Sequence, residues 1–334
     1  MKPREVVITS LEFKEPPRIP RQLWTLPWAE NNYPEVLEKI RLNYPDDIIL
    51  APPYYKKELK TYGEMYKKGI YIDEWGCKFT NITEGIHGEV KEPLVKKWSQ
   101  LDKLHIPVER LSINKEKINK FCSQTDKFVL PDTLQRPFER MQFIRRTDNL
   151  FIDLMEQPSG FSKLLEEIHE FYLKEINAWC QTDIDGIFLM DDWGAQNTLL
   201  VNPREWKKLF KPLYKEYIEL AHKHNKYVFM HSDGHITDII PDLIELGLDA
   251  LNSQLFCMNI EEIGKQYGGK ITFWGEIDRQ HLLPSGSREE IDEAVKKVYR
   301  NLYHNGGVIG QCEFGPGARP DNVWQVYKSW DNVH

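Results

Sequence analysis

The chain has 334 residues with a formal net charge of −7, 41% apolar and 28% charged residues, a globular composition long enough to bury a core without a disulfide framework. Its five cysteines, Cys77, Cys122, Cys180, Cys257 and Cys312, are odd in number and widely spread, which excludes a disulfide scaffold and favours a reducing, cytoplasmic setting. No apolar run approaches a membrane span, so no membrane partner is expected, and mild acidity argues against nucleic acid; the one basic cluster, Lys207 to Lys215, reads as the wet face of a helix.

In chain order, the first strands expected are IPRQLW (Ile19 to Trp24) and DIILAP (Asp47 to Pro52). A long segment from Lys56 to Phe121, containing IDEWGCKFT and GIHGEVKEP, reads as an insertion carrying a small hairpin near a barrel mouth. Within it Asp73, Glu74, Trp75 and Cys77 read as structural, with lining of the mouth as the alternative. KFVLPD (Lys127 to Asp132) and GIFLM (Gly186 to Met190) are the next strands, and Asn202-Pro203 starts a helix running to about His224. Then come the strand YVFMH (Tyr227 to His231), a helical spacing from Ile236 to Leu246 stopped by Gly247, the strand ALNSQ (Ala250 to Gln254), and a helix near Asn259 to Tyr267. ITFWG (Ile271 to Gly275), a helix from Ser287 to Tyr303, and GGVIGQC (Gly306 to Cys312) complete the series. Eight strands with intervening helices predict an α/β fold, a (β/α)8 TIM barrel with an insertion between strands 2 and 3, as a single domain over 1–334.

In such a barrel the C-terminal strand ends form one surface. They carry Asp191-Asp192-Trp193, His231-Ser232-Asp233-Gly234, Asn252 and Gln254, Glu276 and Asp278, and Cys312-Glu313. Burying these groups is costly unless they pair, bind metal or face a wet cavity. His231 and Asp233 share one face of an extended chain and can chelate. With Cys312, three strands on, they suit Zn²⁺, and Glu276 or Glu313 could add a ligand. Equally, Asp233 could cap a helix starting at His235, and Cys312 could be a small buried hydrophobe. Asp191 and Asp192 point to opposite faces, so one enters the pocket and the other ties down a loop. Trp193 and Trp274 read as core or pocket wall.

PREVVITSLEFKEPPRIP, IDEWGCKF, GEVKEP, DDWGAQNTLLVNPREWKKLFKPLYK, HSDGHITDIIPDLIELGLDALN, FWGEID and the Gly-Gly strand near the end resemble the uroporphyrinogen decarboxylase superfamily. The resemblance implies a (β/α)8 barrel, in agreement with the strand count. True decarboxylases of this kind carry an R-Q-A-G-R type motif that grips porphyrinogen carboxylates; here the segment is RQLWTLPWAE, Arg21 to Glu30, with Trp24, Pro27 and Trp28 forming an aromatic mouth. The other branch comprises cobamide-dependent methyltransferases, in which an H-x-C pair and a later Cys hold zinc. His231 matches the His, Cys312 lies close to the last Cys, and Asp233 replaces the middle Cys, which hardens the ligand set and disfavours the thiol-methylating members.

The resemblance thus implies a methyltransferase taking a methyl group from a small methoxylated, aromatic donor to a Co(I) corrinoid (cobalamin), with Zn²⁺ as Lewis acid. No D-x-H-x-x-G segment is present, so the corrinoid is expected on a separate partner protein. The expected catalytic residues are Asp191, Asp192 and Glu276; Trp24, Trp28, Trp193, Asn252 and Gln254 would seat the substrate; His231, Asp233, Cys312 and Glu313 would bind metal. The alternatives are a metal-free decarboxylase or lyase using Asp191-Asp192, and a non-enzymatic subunit of a corrinoid complex. Association into a homodimer stays open.

Overall fold

Short β-branched and aromatic runs separated by amphipathic segments satisfy their backbones most simply as parallel strands under crossover helices. In the computed structural model, which describes residues 1–133 and 135–333, the strands are β1 (Arg21–Thr25), β2 (Ile48–Ala51), β3 (Gly69–Ile72), β4 (Lys78–Asn81), β5 (Glu89–Val90), β6 (Phe128–Pro131), β7 (Gly186–Met190), β8 (Tyr227–Ser232), β9 (Ala250–Ser253), β10 (Thr272–Glu276) and β11 (Val308–Phe314). Six of them form one parallel sheet in the order β1-β11-β10-β9-β8-β7, and β2 and β6 form a second parallel pair. The two sets flank each other: Arg21 O accepts from Asp47 N–H at 2.9 Å, and Val129 O accepts from Asp185 N–H at 2.8 Å. The result is a TIM-barrel-like α/β fold.

Between β2 and β6 the chain makes an antiparallel meander, β3-β4-β5, where the sequence suggested a hairpin. Its IDEWGC turn is structural at Trp75 and Cys77, whose side chains are buried and whose N–H groups donate to Asp73 at 3.1 and 2.7 Å, while Asp73 and Glu74 also line a cleft beside the strand ends. The Lys207 to Lys215 cluster lies on outer helices, where Lys207 and Lys211 both pair with Asp242.

Two expected helices are interrupted by proline. The segment after Asn202 is broken into Pro203–Leu209 and Lys211–Lys223, and the regular α-helix expected from Ile236 occupies only Ile240–Glu245. Pro212 and Pro241 sit in the first turns of the helices that follow the breaks, because the ring fixes φ and supplies no N–H.

An unforeseen helix, Pro3–Leu11, closes the barrel end opposite the strand C-termini. Its Val7 and Leu11, one turn apart, pack on the inner layer of Ile48, Phe128, Phe229 and Trp274, a burial worth roughly 1.5–3 kcal/mol per side chain. Ser10 Oγ donates to Val308 O at 3.0 Å, and a Cβ on Gly307 would stand 2.3 Å from the Phe13 ring. That close approach explains the paired glycines ahead of β11.

Candidate active site

β8 delivers His231 to the mouth of the barrel, with Met190 of β7 and Asn252 of β9 as its cross-strand neighbours. The His231 ring is buried, and its Nδ1 lies 2.5 Å from Asn252 Oδ1. Asn252 Nδ2 donates to the Trp274 carbonyl at 2.5 Å, which orients the amide so that its oxygen faces the imidazole. This network assigns a proton to Nδ1 and turns Nε2 toward the site, as a support behind a metal-ligating histidine does. Nε2 lies 3.5 Å from Asp192 Oδ1 and 3.4 Å from Asp233 Oδ1.

The two acids come from the turns after β7 and β8, which lock together. Asp233 N–H donates to Asp192 Oδ1 at 2.9 Å, and Gly194 N–H donates to Asp233 O at 3.0 Å. A Cβ on Gly194 would stand 2.4 Å from His235 N, and Gly234 has φ +77°, so only glycines let these turns touch. Asp233 therefore does not cap a helix at His235, where no helix begins.

Behind the acids sits Arg279. Its Nη2 donates to Asp233 Oδ2, its Nε lies 3.1 Å from Glu276 Oε1, and its Nη1 lies 3.2 Å from Glu313 Oε1. Four carboxyl groups thus face one guanidinium and one imidazole. Burial pushes Glu276 well above the ordinary carboxylic range, against the opposing pull of Arg279, which relieves part of the charge excess.

Donor atoms of Asp192, His231 and Asp233 lie within 4.8 Å of one another, the one cluster of this kind among the described residues. Asp233 Oδ1 is buried with no hydrogen-bond partner, and the local excess of carboxylates calls for a cation. One imidazole and two carboxylates fit a borderline or hard divalent ion such as Zn²⁺ or Mn²⁺.

Asp191 has a different task. It is fully buried and accepts from Phe138 N–H at 3.0 Å, Glu139 N–H at 2.8 Å and Tyr214 O–H at 2.6 Å, capping the helix Pro137–Arg145 from outside. Burial and the Glu139 carboxyl raise Asp191, while burial pushes Glu139 up to about 7. All three partners of Asp191 are donors, which assigns the anion to Asp191 and the shared proton to Glu139, whose Oε2 is buried without a partner. Asp192 and His231 influence Glu139 electrostatically, which links it to the cluster.

Of the residues expected to ligate metal, His231 and Asp233 come together, Asp192 joins them, and two others do not. Cys312 lies on the outward face of β11, fully buried, with its Sγ 3.7 Å from the Tyr327 hydroxyl; burial pushes its thiol up to about 12. It is outside the cluster because its neighbours Gln311 and Glu313 take the inward face, opposite Gln22 and Trp24 of β1. Glu313 is inward but committed to Arg279.

Trp24 keeps its expected place, with its ring centroid 5.2 Å from that of His231 and 5.0 Å from that of Trp274. Trp28 packs edge-on against the stacked rings of Tyr33 and Phe314, and its N–H donates to the Gly85 carbonyl at 3.2 Å. Trp193 is not a substrate wall: it is fully buried, stacks on Phe138 at 4.3 Å and donates to the Tyr214 hydroxyl. Asn252 is likewise withdrawn from substrate by its bonds to His231 and Trp274. Gln254 accepts from Gly234 N–H at 2.9 Å and braces the β8 turn.

Beside this mouth, the meander, Asp132 and Thr133 after β6, and the helix Pro137–Arg145 border a cleft of about 460 Å³ lined by aromatic side chains, among them Tyr66, Tyr71, Phe79 and Phe143, and by Arg110, Arg136 and Arg140. Sequence reasoning missed Arg136, Glu139 and Arg279. The signals available were Arg136-Pro137 at a helix start, and a lone arginine three residues after Glu276.

A family profile described as uroporphyrinogen decarboxylase (URO-D) matches residues 70–332. No curated protein sequence matches the chain. Among solved structures, a methyltransferase from Methanosarcina mazei superposes with a TM-score of 0.73 at 13% identity, covering 99% of this chain and 99% of that one, a likeness of fold. A sugar phosphate isomerase/epimerase from Parabacteroides distasonis reaches a TM-score of only 0.42 at 10% identity, over 93% of this chain and 95% of that one. Since the profile spans most of the sequence, the chain belongs to the uroporphyrinogen decarboxylase (URO-D) family.

Proposed function

We propose that this protein is a methyltransferase that takes a methyl group from a small methoxylated, aromatic donor and passes it to a Co(I) corrinoid on a separate protein. The observation that supports it is the Asp192, His231, Asp233 cluster at the strand ends, with Trp24 beside His231 and Asn252 holding the imidazole in one tautomer. A bound Zn²⁺ would supply a Lewis acid for the ether oxygen, whose phenolate leaves poorly unaided. The chain's own residues orient and dry the site: Trp24 shields one side of His231, and Arg279 holds Asp233 in place. Glu139 and Glu276 store protons that a leaving oxygen can accept.

A porphyrinogen with many carboxylates finds little grip. Arg21, at the position of the decarboxylase arginines, pairs with Asp331 at 2.7 Å and packs on Tyr44. The test supplies purified protein with reduced corrinoid protein and a methoxylated aromatic, and follows methylation of the corrinoid by absorbance. Transfer that stops on chelation and returns with Zn²⁺ is the expected result; none under any metal would overturn the reading.

One observation favours decarboxylation instead. Glu139, buried and raised to about 7, could protonate a carbanion left by CO₂ loss. That reading predicts CO₂ release indifferent to chelators and to corrinoid.

A further inference from the structure

The cleft under the meander carries three guanidiniums with unequal commitments. Arg110 is bound by Glu175 through Nε at 2.7 Å and Nη2 at 3.1 Å, and by Glu74 through Nη1 at 2.7 Å. Arg140 is paired with Asp73 and covered by the rings of Trp75 and Phe143 at 5.0 and 5.3 Å. Arg136 is different: among the described residues its one acidic partner is Glu139, at 3.5 Å, and it makes no hydrogen bond there. A partly exposed guanidinium fork with unused donors therefore faces an aromatic-walled space of about 460 Å³. Thr133, 6% exposed and part of the same lining, has a buried hydroxyl with no partner.

The surroundings select the ligand's charge. Asp132 lines the same cleft, so a dianion or a polycarboxylate meets repulsion that a single carboxylate meets far less. Burial holds His87 below its ordinary range, so it adds no second cation at neutral pH. The flat rings of Tyr66, Phe79 and Phe143 favour an aromatic body over a sugar or an alkyl chain. A planar fork also matches a carboxylate in two parallel bonds.

We propose that this cleft is a binding subsite for an aromatic monocarboxylate, with Arg136 as its anchor and the meander's rings as its walls. It extends the proposed reaction by stating what the donor carries besides its methyl group, and it rests on that reading for the identity of the ligand as methyl donor. Benzoate is the probe, because it has a carboxylate and a ring but no methyl group to transfer. In calorimetric titrations, benzoate binds the wild type more tightly than benzamide or phenyl phosphate does. Arg136→Gln weakens benzoate on the order of tenfold or more, as expected for loss of a charge-assisted pair. Arg136→Lys recovers part of that loss, which a folding defect would not do, and Glu139→Gln, which exchanges a protonated carboxyl for a neutral amide beside Arg136, leaves benzoate binding as in the wild type. Benzoate binding equal to that of benzamide, or unchanged in Arg136→Gln, overturns the subsite. A methoxybenzoate that binds through Arg136 yet yields no methylated corrinoid overturns the proposed reaction and leaves the subsite standing.

Discussion

Asn252→Ala is the substitution that most sharply separates a supported metal site from a chance cluster of acids. In the wild type Asn252 Oδ1 meets His231 Nδ1 at 2.5 Å and Nδ2 donates to Trp274 O at 2.5 Å, with Asn252 fully buried. Alanine leaves a buried donor and a buried acceptor unpaired, at a cost of roughly 1–3 kcal/mol each, so stability falls by about 2–6 kcal/mol. The imidazole is then free to rotate and to change tautomer, and loss of such a support costs about 10–100-fold in metal affinity. Chemical denaturation gives the first number and competition with a chromophoric chelator the second. If stability falls while metal affinity stays within about twofold of wild type, the orienting role of Asn252 is refuted, because the same bond cannot be broken without releasing the ring.

Three further outcomes are expected. Asp191→Ala removes the acceptor of two helix-start N–H groups and of the Tyr214 hydroxyl, and should destabilise the protein by about 3–5 kcal/mol, as read by denaturant midpoint; a near-neutral result would return Asp191 to a catalytic role. Glu139 is raised by burial to about 7, so between its unfolded value near 4.5 and that point the folded state holds the extra proton and stability declines as pH rises. Glu139→Gln should flatten that decline, by at most about 1.4 kcal/mol per pH unit, in unfolding curves taken across the window. Cys312→Ala should leave metal content unchanged, since the thiol points to Tyr327, and elemental analysis of the purified variant checks it.

Much of the site was legible in the sequence because strands alternate. His231 with Asp233, the separation of Asp191 from Asp192, and the aromatic position of Trp24 all follow from period-two geometry applied to strand ends. The same rule corrects Cys312: once Glu313 faces inward opposite Trp24, its neighbour must face the outer helices, and spacing borrowed from a family pattern gave the wrong face. Trp193 fails likewise, since Asp192 turns to His231 and the next side chain turns to Phe138. Arg136, Glu139 and Arg279 were hidden because each matters through a residue far away in sequence. No local pattern reports that Asp191 caps a helix more than fifty residues before it, or that Arg279 reaches back to Asp233. The Pro3–Leu11 helix was hidden for another reason, as its charged start masks two inward residues one turn apart.

Metal content per chain, measured on wild type and on His231→Ala after identical dialysis, tests the central claim most directly. About one divalent ion per wild-type chain, lost in His231→Ala and kept in Cys312→Ala, is the expected result. Full metal occupancy in His231→Ala would contradict the account, since the ion would then sit elsewhere than among Asp192, His231 and Asp233.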